Sequence, residues 1–84
     1  LPLRDMESRR KLEMFLNKTP PKFVAGNKVK QVIDIDGIKL ILEKNYWLMF
    51  RFSGTEPLLR IYCEAPTFNS LNQTLRWAKD FVEK

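Results

Sequence analysis

Between Val29 and Ala65 the apolar residues fall at every second position, in four short runs separated by turn-forming residues. Such alternation buries one face of a strand and leaves the other wet, so this stretch demands a half-buried antiparallel sheet. In the first run Val29, Ile33 and Ile35 share a face opposite Lys30 and Asp34, although Gln31 and Val32 disturb the alternation. Asp36-Gly37 follows, a pair suited to a tight hairpin because that turn needs positive φ. Ile38, Leu40 and Leu42 then line one side of a second run, and Lys44-Asn45-Tyr46 turns the chain again. Trp47 to Ser53 sets Leu48, Phe50 and Phe52 against Trp47, Met49 and Arg51. In the fourth run Leu59, Ile61, Cys63 and Ala65 oppose Arg60, Tyr62 and Glu64. Cys63 therefore sits in an apolar row and reads as an inert buried thiol rather than a nucleophile.

A helix is expected on each side of this sheet. Asp5 is a suitable N-cap for a helix over residues 6–17 that places Met6, Leu12, Phe15 and Leu16 on one side. It must end before Pro20-Pro21, because a residue preceding proline is driven out of the α region. Thr19 to Asn27 reads as a connection loosened by Gly26. Pro66 closes the sheet, and a second helix starts near Ser70 with Asn69 or Ser70 as its cap. Its stripe is Leu71, Leu75, Ala78 and Val82, widened by Trp77 and Phe81. With 84 residues there is material for one core. The expected fold is α+β, a four-stranded antiparallel sheet with an N-terminal and a C-terminal helix packed on it. Leu1 to Leu3 reads as the tail of an earlier strand, and because Leu1 is not Met the chain reads as a fragment or processed product.

Composition removes several functional classes. No apolar run approaches the roughly 20 residues of a membrane span, and no signal-peptide pattern opens the chain, so a cytoplasmic, non-membrane protein is expected. One cysteine and no histidine exclude an internal disulfide and a cysteine-based zinc site. The formal net charge of +5 raises the alternative of a basic α+β nucleic-acid-binding module. However, the basic residues are interleaved with acidic ones, and the longest basic run, Arg9-Arg10-Lys11, reads as the outer side of the first helix. The stacking-aromatic signature of an RNA-recognition sheet is also missing, so no nucleic-acid partner is expected.

The chemically distinctive segment is Arg51-Phe52-Ser53-Gly54-Thr55-Glu56-Pro57-Leu58-Leu59-Arg60. A glycine lets backbone N–H groups turn toward a ligand, Ser53 and Thr55 add hydroxyls, and two guanidinium forks match phosphate oxygens. Placed between the third and fourth strands, this is an anion cradle at a hairpin end. Residue types alone leave two other readings open. Ser53 and Glu56 have the spacing of a helix capping box, although Pro57-Leu58 leads into a strand. Alternatively, the arginines merely pair with Glu56 and Glu64. Neither a Walker-type loop nor a dinucleotide-binding glycine motif occurs.

The run from Arg51 to Ala65 closely resembles the phosphate-binding motif of the α-D-phosphohexomutases, R-x-S-G-T-E-P-x-x-R-x-Y-x-E-A. This family includes phosphoglucomutases, phosphomannomutases and phosphoglucosamine mutases. The motif belongs to their C-terminal domain, the last of four, whose fold is similar to the TATA-box-binding protein. The resemblance implies an enzyme that moves a phosphoryl group between the 1- and 6-positions of a hexose through a phosphoserine. It implies that this domain grips the phosphate not being transferred, with Arg51, Ser53, Gly54 and Thr55 as the cradle and Arg60 in support. The implied partners are a hexose phosphate and the other three domains. The implied Mg2+ has its ligands outside this chain, and so does the catalytic serine, leaving no catalytic or metal-binding residue within it. Ile61-Tyr62-Cys63-Glu64 departs from the usual phosphoglucosamine mutase pattern, which leans toward a glucose or mannose phosphate.

Overall fold

A computed structural model describes residues 2–35 and 37–83, with the backbone alone at Asn45. Asp5 caps the first helix, α1 (Met6–Lys18), its carboxylate accepting from the Ser8 N–H at 2.8 Å. That bond to the charged form, made also to the Ser8 side chain, holds the Asp5 carboxyl below its ordinary value. At the other end the Thr19 N–H donates to Phe15 O and the prolines follow. Only Leu16 of the expected apolar side is fully buried. Leu12 is half-buried, while Met6 and Phe15 stay exposed.

The connection after α1 contains a strand that alternation did not reveal. β1 (Phe23–Val24) pairs antiparallel with β2 (Asn27–Ile33) around Ala25 and Gly26, both at positive φ. Positive φ at both central residues is the condition of a tight hairpin turn, here met with alanine at the first. The sheet therefore has five strands rather than four, in the order β1-β2-β3-β4-β5, with β3 (Ile38–Leu42), β4 (Trp47–Phe52) and β5 (Leu59–Glu64). A two-residue strand has no period to read, and Val24 is recognisable only by its complete burial.

β2 also differs from its expected alternation. Val29 pairs with Leu42 but Gln31 pairs with Ile41, so the strand carries one extra residue at Lys30. A bulge of this kind reverses the facing of everything beyond it. Val29 and Val32 lie opposite the core residues Leu42 and Leu40, whereas Ile33 lies opposite Lys39 on the other face. Val29 and Ile33 thus part company, and Ile35 is 72% exposed. The Asp36 half of the expected hairpin turn lies outside the described residues.

The remaining alternation gives the core. Ile38, Leu40 and Leu42 of β3, Leu48 and Phe50 of β4 and Leu59 of β5 are buried together with Leu16 of α1. The second helix, α2 (Phe68–Glu83), contributes Ala78, so both helices cover one face of the sheet. Burial of each large side chain contributes about 1.5–3 kcal/mol. α2 starts two residues earlier than the sequence suggests because Thr67 is its cap: Thr67 Oγ1 accepts from the Ser70 N–H at 3.0 Å. Thr74 is a polar member of the stripe, almost fully buried, with its hydroxyl donating to Ser70 O at 2.7 Å. Cys63 is half-buried rather than buried as expected, and that desolvation raises its thiol above the usual range.

The uncovered face carries Lys39, Ile41, Trp47, Met49, Arg51, Arg60, Tyr62 and Glu64. Lys39 stands 4.4 Å over the Trp47 ring, and Trp47 Nε1 donates to Glu64 Oε2 at 2.9 Å. Pro2 forms an antiparallel bridge with Leu58, and the Leu3 N–H donates to Pro57 O, so the leading segment runs beside the start of β5.

Candidate anion-binding loop

β4 and β5 pair in full register, with Arg51 opposite Arg60 and Phe52 opposite Leu59. The loop between them is closed at its base by the Ser53 N–H donating to Leu58 O at 2.9 Å. Strand alternation puts Arg51 and Arg60 together on the uncovered face, both exposed. Like charges directly across a strand pair repel, so the sheet gains nothing from this placement. Among the described residues neither arginine forms an ion pair or a side-chain hydrogen bond; the ion pairs lie at Arg4–Asp5, Arg9–Glu13 and Lys11–Glu7. Glu64 is engaged by Trp47 instead. The pairing of these arginines with Glu56 and Glu64, left open by the sequence, is not made.

Within the loop, Ser53 is half-buried and its Oγ accepts from the Thr55 and Glu56 N–H groups at 3.4 and 3.3 Å. These bonds have the sense of a helix cap, yet Leu58 N–H donates to Glu56 O and no helix follows. The Ser53 hydroxyl thus organises the turn while its proton stays available for donation. Gly54 and Thr55 stand exposed at the tip. The Gly54 N–H has no acceptor among the described residues. Gly54 does not adopt positive φ, and a Cβ on it would meet nothing within 4 Å. The structure therefore brings Arg51 and Arg60 side by side at the foot of the loop, with Ser53, Gly54 and Thr55 above them.

A further residue was hidden in the sequence. Arg9 reads as part of an outward basic run, but its side chain is only 17% exposed. Its guanidinium lies 5.4 Å over the Phe52 ring, its Nε donates to Ser53 O at 2.9 Å, and Nη1 donates to Glu13 Oε1 at 3.2 Å. Forty-four positions separate Arg9 from Ser53, so no local pattern links them.

Two grooves lie away from the loop. A groove of about 600 Å³ runs along Pro20, Pro21, Phe23, Val29 and Val32, and another lies between α1 and α2. The first is apolar, and neither includes the loop. Among the described residues no three Cys, Asp or Glu side chains converge to hold a metal ion, and no helix is long and apolar enough to cross a membrane.

Set beside known proteins, residues 5–83 match the model of the phosphoglucomutase/phosphomannomutase C-terminal domain. The chain belongs to this family. It is similar to a probable phosphoglucosamine mutase of Pyrococcus furiosus, 42% identical over 55 residues, covering 66% of this chain and 12% of that protein. It is also similar to a phosphomannomutase of Mycoplasma pneumoniae, 38% identical over 66 residues, covering 75% of this chain and 11% of the relative. A phosphopentomutase of Thermococcus kodakarensis is 33% identical over 59 residues, covering 70% and 13% respectively. The chain thus spans about an eighth of the length of the curated relatives it matches. Their names divide among hexosamine, mannose and pentose phosphates, and several are phosphoglucosamine mutases, so they lend no weight to a glucose or mannose preference.

Proposed function

We propose that residues 1–84 form the substrate-phosphate-binding C-terminal domain of a larger phosphohexomutase that interconverts hexose 1- and 6-phosphates. The observation that carries this reading is the Arg51–Arg60 pair, two exposed arginines directly opposite each other across β4 and β5 with no carboxylate partner among the described residues. An anion between them turns a repulsion into two charge-assisted contacts, each worth about 1.5–3 kcal/mol where water is excluded. Gly54 N–H and the hydroxyls of Ser53 and Thr55 supply further donors. Glu56 and Pro57 shape the turn, since a carboxylate beside a phosphate is repulsive.

The grip does not perform chemistry. Phosphoryl transfer depends on positioning and on stabilising charge, and holding the idle phosphate supplies positioning. The catalytic serine and the ligands of Mg2+, whose role when bound is to neutralise phosphoryl charge, belong to the other three domains of the parent. The other domains of the parent close over the loop and exclude water. In this reading the two-layer build is of the TATA-box-binding-protein type, and the parent is a cytoplasmic carbohydrate-metabolism isomerase.

Titration of inorganic phosphate and of glucose 6-phosphate into the isotopically labelled chain tests the reading. The backbone amides of residues 53–55 should shift first, with a dissociation constant of about millimolar, because one open surface recovers little of the association entropy. Arg51→Ala should weaken binding about tenfold. Shifts confined to scattered surface lysines would sink the reading, and a steeply salt-dependent gel shift indifferent to Arg51 would favour a nucleic-acid module instead.

A further inference from the structure

The contacts of Arg9 explain how the loop is set to receive an anion, an inference that rests on the phosphate-binding reading above. A trans peptide is planar, so the carbonyl of Ser53 and the N–H of Gly54 belong to one unit and point in opposite directions. No cis peptide occurs among the described residues. Arg9 reaches from α1, on the covered side of the sheet, and its Nε holds Ser53 O at 2.9 Å. Its stacking over Phe52, which alternates with Arg51 along β4, places it on the face opposite that arginine. The Gly54 N–H is consequently turned away from the Arg9 guanidinium. Gly54 is exposed, and its N–H has no acceptor among the described residues.

We propose that Arg9 is a positioning residue that locks the Ser53–Gly54 peptide so that the Gly54 N–H, beside Arg51 and Arg60, is presented to the substrate phosphate. The alternative peptide orientation would aim the Ser53 carbonyl at the anion and convert a donor into a repulsive acceptor. Arg9 selects between these two states without touching the ligand. Glu13 holds the guanidinium plane in turn, at 3.2 Å from Nη1. A peptide held in its binding orientation beforehand loses less entropy when the ligand arrives.

The test follows inorganic phosphate binding to the labelled chain through the Gly54 amide and through the dissociation constant, in wild type and in Arg9→Met, Arg9→Lys and Arg51→Ala. Arg9→Met should raise the dissociation constant about fivefold and suppress the Gly54 shift, while the Arg51 side-chain signal still responds. Arg9→Lys keeps the charge but has no N–H in the place of Nε, so it should recover less than half of the loss. Full recovery by lysine would assign Arg9 to general electrostatics and overturn the proposal. A lowered melting temperature with unchanged phosphate affinity would overturn it too, by making Arg9 merely structural. If Arg9→Met does not fold, Arg9→Lys and Glu13→Gln carry the same readout. Loss of phosphate response in wild type, or indifference to Arg51→Ala, would instead remove the phosphate reading itself.

Discussion

Two glycines at the same end of the sheet do opposite things. Gly37, just before β3, has φ +134, and a Cβ there would lie 2.6 Å from the Phe50 carbonyl oxygen and 3.3 Å from the Arg51 Cα. Only glycine allows β3 to approach β4 so closely, and the fold itself demands it. Gly54, in the neighbouring loop, has neither constraint: its φ is not positive and the space around it is open. One glycine serves packing inside the domain, whereas the other leaves room for something outside it. Conformation and close approach separate the two roles, although in the sequence both are simply glycines at hairpin ends.

The largest effect should follow Gly37→Ala. Strain at positive φ and collision with backbone atoms together should lower stability by roughly 2–4 kcal/mol, measured by chemical denaturation. A near-neutral result would mean that β3 and β4 can separate, and the distinction between the loops would collapse. Gly54→Ala should leave stability within about 0.5 kcal/mol of wild type while weakening phosphate binding about tenfold. An alanine at 54 that destabilises the chain and leaves binding intact would reverse the assignment.

The smallest effect concerns the helix that carries Arg9. The Asp5 carboxyl is held below its ordinary value by the Ser8 N–H, so it binds its proton more weakly in the folded chain than in the unfolded one. Its contribution is therefore complete above the unfolded value near about pH 3.9 and is lost as the pH falls through the lower folded value. Asp5→Asn should retain part of the cap and flatten this acid limb of the stability profile. If Asn and Asp show the same acid limb, other carboxylates govern it.

Much of the fold was legible because it is written in local patterns. The alternation of Ile38 to Leu42, Trp47 to Phe52 and Leu59 to Glu64 survives in the burial of each strand. Asp5 before a helical stripe and Pro20-Pro21 after it bracketed α1 closely. Failures came where a pattern was too short or was interrupted. β1 spans two residues, and the bulge at Lys30 reversed the phase that Gln31 and Val32 had already disturbed. The loop motif identified the candidate site residues, but the pairing of Arg51 with Arg60 required the register of β4 on β5.

The residue order alone determined the alternation, the helix limits and the family to which the Arg51–Ala65 motif pointed, because each depends on neighbours a few positions apart. Tertiary structure alone decided the fifth strand, the facing of β2 beyond its bulge, and the burial of Arg9 against Phe52 and Ser53. Those features arise from contacts between distant parts of the chain, whose energies depend on how whole elements pack. A basic helix residue and a loop carbonyl forty-four positions apart carry no shared signature until the sheet brings them within 2.9 Å.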